Sequence, residues 1–126
     1  MSKIIINSTD APAPIGPYNQ AVQAGNFLFV SGQIAIEPKS GNMINDNISA
    51  ETRQVLTNLN HILEKAGYNF GDIVKTTIFL KDMEDFAKVN QVYSTYFTVD
   101  FPARETVEVS RLPRDVNVEI SVVAYK

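Results

Sequence analysis

Residues 103–110, Ala103-Arg104-Glu105-Thr106-Val107-Glu108-Val109-Ser110, and residues 116–125, Val116-Asn117-Val118-Glu119-Ile120-Ser121-Val122-Val123-Ala124-Tyr125, flank the segment Arg111-Leu112-Pro113-Arg114-Asp115. Both runs alternate with the strand period of two, and a proline between them marks a break rather than an inner strand. In the first run Arg104, Thr106, Glu108 and Ser110 share a face. In the second, Val116, Val118, Ile120, Val122 and Ala124 form an apolar face, leaving Asn117, Glu119 and Ser121 on the other. Folded as a hairpin about Pro113-Arg114, the two runs would set Thr106 opposite Ser121 and Glu108 opposite Glu119. Arg104 and Glu119 would then share a face about four positions, roughly 13 Å, apart.

These two side chains are the most chemical pairing in the chain. A strand arginine offers a planar, permanently charged fork that fits a carboxylate, and a glutamate can move a proton or hold a water. The spacing is too wide for one small ligand, so either the register differs or Arg104 of one subunit works with Glu119 of the next. The plainer reading is a pair of solvated or salt-bridged strand residues, which contribute little to stability.

Working outward, residues 3–7 read as a short strand. Residues 8–17 hold three of the six prolines and read as a packed surface loop leading to Tyr18. Residues 19–24 and 27–34 form a hairpin about Gly25-Asn26. A loop over 37–47 precedes a helix capped by Ser49, with Glu51 in its first turn. Val55, Leu56, Leu59, Ile62, Leu63 and Ala66 recur along it at helical spacing, and Gly67 stops it. Ile73–Leu80 is a β-branched run of strand length. A second helix starts at Asp82–Asp85 with the stripe Phe86, Val89, Tyr93, Tyr96 and Phe97. The order β-ββ-α-β-α-ββ predicts an α+β fold over residues 1–126, a single domain with one mixed sheet and both helices on one face. The apolar content of 27–36, 73–80 and 116–125 predicts that another subunit covers the opposite face.

With 126 residues and a net charge of −3, the chain carries no basic stripe, which argues against a nucleic-acid surface. It has no cysteine, and its one histidine, His61, excludes a multi-histidine metal site within one chain. The run Asp82-Met83-Glu84-Asp85 carries negative charge where a helix start favours it, so no metal is expected there. No Gly-rich phosphate loop points to a nucleotide cofactor. No stretch approaches the roughly 18 apolar residues of a membrane span, and the N-terminal apolar run is too short for a signal peptide, so a cytoplasmic protein is expected.

Five further positions stand out. Asn90 falls on the helical line 86, 90, 93, 97, where a buried amide either ties helix to sheet or walls a pocket. Ser31-Gly32 interrupts a strand and marks a bulge or a close backbone approach. Tyr18 either lids a pocket or packs on one. His61, beside Asn58 and Lys65, reads as a solvated helix residue.

Taken in order, several segments resemble signatures of the RidA (YjgF-like) family of imine deaminases. They are Ala11-Pro12-Ala13-Pro14-Ile15-Gly16-Pro17-Tyr18, Ser31-Gly32-Gln33-Ile34, Asp72-Ile73-Val74-Lys75-Thr76-Thr77, Phe86-Ala87-Lys88-Val89-Asn90, Pro102-Ala103-Arg104, Leu112-Pro113 and Val118-Glu119-Ile120. Each is short, and their order along the whole chain makes the likeness specific. The resemblance implies a chorismate-mutase-like homotrimer with sites between subunits. It implies hydrolysis of 2-imino acids such as 2-iminobutanoate and 2-iminopropanoate to 2-keto acids and ammonia, without a cofactor. By this likeness Arg104 clamps the substrate carboxylate with help from the backbone at Thr106, and Glu119 positions or activates water. Tyr18, Ser31, Gly32 and Asn90 shape the cleft. Thr106 stands where many members carry cysteine. The competing expectations are a non-catalytic 2-keto acid-binding or regulatory protein and an endoribonuclease, the latter disfavoured by the acidic balance and single histidine.

Overall fold

A computed structural model describes residues 2–126. The elements run β1 (Ile4–Ile6), β2 (Ala21–Ala24), β3 (Phe27–Gln33), α1 (Ile48–Ala66), β4 (Ile73–Leu80), α2 (Phe86–Ser94), β5 (Ala103–Glu108) and β6 (Val118–Tyr125). One six-stranded sheet has the order β1-β2-β3-β6-β4-β5. All neighbours are antiparallel except β4 and β5, which are parallel. The mixed sheet with both helices on one face is thus as the sequence pattern predicts.

The hairpin at the C-terminus is not. β6 leaves β5 and pairs between β3 and β4, so the two runs never touch as ladder partners. Two physical reasons account for this. β4, α2 and β5 form a strand–helix–strand crossover, which makes β5 parallel to β4. β6 also carries Val118, Ile120, Val122 and Ala124, all buried, and a strand so apolar is favoured in the sheet centre.

The core lies between the sheet and the helices. Val55, Leu56, Leu59, Ile62 and Leu63 of α1 and Val89, Val92 and Tyr93 of α2 pack on Leu28, Ile78, Leu80, Ile120 and Val122. Each fully buried Leu or Ile contributes about 1.5–3 kcal/mol relative to exposure. Tyr96 and Phe97 belong to this packing but lie beyond the end of α2.

Helix α1 begins two residues earlier than its sequence suggests. Asn47, not Ser49, is the cap, its Oδ1 accepting from Ala50 N at 2.8 Å. Glu51 is fully buried and accepts from Asn117 N and Nδ2, both at 2.8 Å, tying the start of β6 to α1. Gly67 ends the helix with φ 82°, as expected of a left-handed cap. Asp82 caps a short 3-10 turn, Met83–Asp85, ahead of α2.

On the open sheet face stand Phe27 and Phe29 of β3, Val107 of β5 and Tyr125 of β6, each more than 40% exposed. A monomer rarely leaves so many large apolar side chains on one sheet face in water.

Candidate functional site

Register decides where the two candidate side chains point. Arg104 pairs with Thr76 and Thr106 with Ile78, and Thr76 and Ile78 are buried beneath the helices. Glu119 pairs with Phe79, one residue out of phase with Ile78, and so stands on the open face. Arg104 and Glu119 therefore occupy opposite faces, correcting the shared face that a hairpin would have given them. In the sheet they are also about 9.6 Å apart across two strand spacings and about 10 Å along the strands. One small ligand cannot bridge them within a chain.

Around Arg104 the line of residues 86, 90 and 93 on α2 forms a receiving groove. The guanidinium Nη1 donates to Asn90 Oδ1 at 2.7 Å. Its Cζ lies 5.0 Å from the ring centroid of Tyr93 and 5.8 Å from that of Phe86, geometry that suits cation–π attraction. Tyr93 in turn donates its hydroxyl to Thr76 Oγ1 at 2.9 Å. Burial pushes the Tyr93 phenol up from its ordinary pKa, partly offset by the Thr76 hydrogen bond and the Arg104 charge, so it stays a neutral donor. Asn90 is exposed rather than buried, and it ties helix to edge strand through Arg104. Of the five guanidinium N–H donors, this bond uses one, leaving a fork for a carboxylate.

Thr106, two residues on, faces the same side. Its Oγ1 is the one buried side-chain oxygen among the described residues without a hydrogen-bond partner.

The second group surrounds Glu119. A cleft of about 100 Å³ is lined by Pro12, Ile15, Tyr18, Gly32, Arg114 and Glu119, among others. Gly32 sits in the β3 bulge, where the pairing with β6 slips between Val30 and Gln33. A Cβ at Gly32 would lie 2.8 Å from Glu119 Cδ and closer still to Oε2, so any other residue would push the carboxylate from this position. Burial alone pushes the Glu119 carboxyl above the usual carboxylate range. The two ion pairs among the described residues are Lys75–Glu105 and Lys81–Asp115, so neither Arg104 nor Glu119 is spent in a salt bridge.

Tyr18 is about half exposed and lines this cleft. Ser31 does not offer its hydroxyl to it: Oγ donates to Asn19 O at 2.6 Å, holding the segment that carries Tyr18. His61, expected to be solvated, is partly exposed with Nδ1 2.7 Å from Asp10 O, and it does not line the Glu119 cleft. Residues thus fall into two sets: Arg104, Asn90 and Thr106 on one side, Tyr18, Gly32 and Glu119 on the other. Sequence reading missed the stacking role of Phe86 and Tyr93, although the helical line through Asn90 already contained both. It also passed over Arg114, which enters the cleft from a left-handed backbone (φ 55°) that nothing in its side chain announces.

The family described as endoribonuclease L-PSP matches residues 8–126. A RutC family protein of Pyrococcus horikoshii is 56% identical, covering 98% of each chain. The 2-iminobutanoate/2-iminopropanoate deaminase of Salmonella typhimurium is 50% identical over all of this chain and 99% of its own. Among solved structures, the YjgF gene product of E. coli superposes with a TM-score of 0.93 at 48% identity, covering 98% of each chain. E. coli TdcF with bound serine gives 0.94 at 40% identity, again over 98% of each chain.

Proposed function

From the premise that the chain belongs to the endoribonuclease L-PSP family, which takes in the YjgF and RidA proteins its motifs resemble, we propose that it hydrolyses 2-imino acids to 2-keto acids and ammonia. The observation that carries this reading is the pair of unspent groups: a guanidinium fork steered by Asn90 and Tyr93, and a half-buried carboxylate with a raised pKa. Their opposite facing supports sites completed between subunits of a homotrimer, with the exposed apolar sheet face as the assembly surface.

In this reaction Arg104 and the main-chain N–H of Thr106 hold the substrate carboxylate. Glu119 of a neighbouring subunit binds a water against C2 of the imine and takes one of its protons as the new C–O bond forms. With the imine nitrogen protonated at the outset, Glu119 returns that proton to the amino group of the carbinolamine. It then takes the hydroxyl proton as the C=O bond forms and the C–N bond breaks, giving the keto acid and ammonia, which carries the last proton away as ammonium. An imine is already electrophilic, so placement of the water contributes more than base strength. The apolar cleft beside Glu119 takes the short side chain of the imino acid. No step requires a cofactor.

The test is a coupled assay with an amino-acid dehydratase acting on threonine or serine. Added protein should accelerate ammonia and keto acid release, and Arg104→Ala should abolish the acceleration while the oligomer stays folded. No acceleration by wild type with either amino acid would sink the proposal. Binding of 2-ketobutyrate without turnover would point instead to a keto acid-binding regulator. RNA cleavage that follows the protein through purification and is lost on a point substitution would favour the activity named in the family's description.

A further inference from the structure

Residues 8–18 have no strand or helix of their own, and Pro12, Ala13, Ile15 and Tyr18 among them line the cleft. Three prolines in this segment supply no N–H, and its inward carbonyls still need donors. Three of those carbonyls meet one side chain. Gln20, only 2% exposed, shares the two N–H donors of Nε2 among Ser8 O at 3.0 Å, Ala11 O at 3.3 Å and Pro12 O at 2.9 Å. Its Oε1 accepts from Ser8 N at 2.6 Å. Its own backbone is fixed to β3, since Ser31 N donates to Gln20 O at 2.9 Å. An amide is the only side chain of this length that can donate and accept together here. A rigid hairpin is thereby joined to an irregular segment that presents Pro12, Ala13, Ile15 and Tyr18 to the cleft.

We infer that Gln20 is a positioning residue that fixes the apolar wall opposite Glu119 and so sets how tightly the site grips the side chain of its ligand. It touches no reacting atom; its effect falls on binding more than on the chemical step. The ligand named here rests on the deaminase reading, whereas the fastening of the wall does not.

Gln20→Glu keeps the acceptor for Ser8 but turns a carboxylate on three carbonyls. Gln20→Met keeps the length and removes every bond. In the full-length protein, hydrogen exchange at Ser8 and Ala11 should quicken while α1 and β4 keep their protection. Affinity for 2-ketobutyrate, measured by titration, should fall about tenfold, the equivalent of one net hydrogen bond. In the coupled assay KM should rise by a similar factor with kcat within about twofold. Faster exchange with unchanged affinity would leave Gln20 a merely structural residue and overturn the inference, as would unchanged exchange. Should either variant fail to fold, Ser8→Pro deletes the 2.6 Å bond, along with the 3.1 Å bond from Asp10 N to the Ser8 hydroxyl, and is read by exchange at Ala11, by affinity and by KM. A wild type that binds 2-ketobutyrate without turnover, with affinity lost in Gln20→Glu, would keep this inference and overturn the deaminase. Failure of wild type to bind would overturn the inference.

Discussion

Around Arg104, a hydrogen bond from Nη1 to Asn90 and the faces of Phe86 and Tyr93 fix the guanidinium. Around Glu119, the carboxylate rests against the bare backbone of Gly32 in a wall of mostly apolar side chains. One group is held by directional partners, the other by shaped space. The first has an orientation that single-atom changes can loosen; the second has a volume that a single methyl can fill. Because the two face opposite sides of one sheet, neither is complete by itself, and the comparison is sharpest where it concerns which chain supplies which.

The largest effect should come from separating the halves. Arg104→Ala and Glu119→Gln homo-oligomers should each lose most or all activity. If the halves come from different subunits, unfolding and co-assembling the two variants in equal amounts should recover it. In a random mixture about one site in four would pair an intact Arg104 with an intact Glu119. Recovery well above the sum of the separate variants supports the split site. None, in mixtures shown by mass to be hetero-oligomeric, would mean that the two groups do not serve one site.

Next comes the volume of the Glu119 half. Gly32→Ala forces the carboxylate aside, and a displacement of about 1 Å in such a site costs on the order of 100-fold in turnover. Asn90→Ala tests the directional half. It removes one charge-assisted hydrogen bond, roughly 1.5–3 kcal/mol, and should raise KM at least tenfold with less effect on kcat. If Gly32→Ala proves harmless while Asn90→Ala is severe, the cleft does not hold the reacting water.

The pH dependence follows from burial of Glu119. Its folded pKa lies above the unfolded value, so its stabilising contribution is complete below the unfolded pKa and is lost as pH rises through the folded one. Glu119→Gln should therefore gain on wild type in urea midpoint as pH rises from the ordinary glutamate pKa through the raised folded one. Turnover runs the other way, because only the ionised carboxylate accepts the proton from water. Wild-type kcat should rise along an acid limb set by the raised pKa, and the residual activity of Glu119→Gln should lack that limb. A wild-type midpoint that does not decline relative to the variant would mean burial does not govern this carboxyl.

How much of this could be read in the sequence depends on the range of the signal. Local signals held: Gly67 stops α1, Gly25-Asn26 turns β2 into β3, and Gly32 marks the bulge. Pairing between distant strands did not. Alternation places Glu119 opposite to Val118 on its own strand but says nothing of the neighbouring strand, so the shared face rested wholly on the assumed hairpin. Had β4, α2 and β5 been taken as a parallel crossover, Arg104 would have fallen on the helix side. Tyr93 and Phe86 were visible as an apolar stripe, yet their second use as a bed for a cation needs the third dimension. Gln20 gave no signal, since its partners are carbonyls that every residue has.

The smallest effect concerns Thr106. Its hydroxyl is buried beside the Arg104 half without a partner, and a group in that position costs roughly 1–3 kcal/mol of desolvation. Thr106→Val keeps the branched shape and removes the hydroxyl, so it should raise stability by about 1 kcal/mol, read as a higher urea midpoint with an unchanged slope. The main-chain N–H stays where it was, and with it the proposed contact to the substrate carboxylate. Unchanged kcat/KM in a more stable variant would therefore assign binding at this position to the backbone. A fall in kcat/KM, or a loss of stability, would instead show that the hydroxyl acquires a partner when the site is complete. In that event the Arg104 half would prove as dependent on the neighbouring subunit as the Glu119 half.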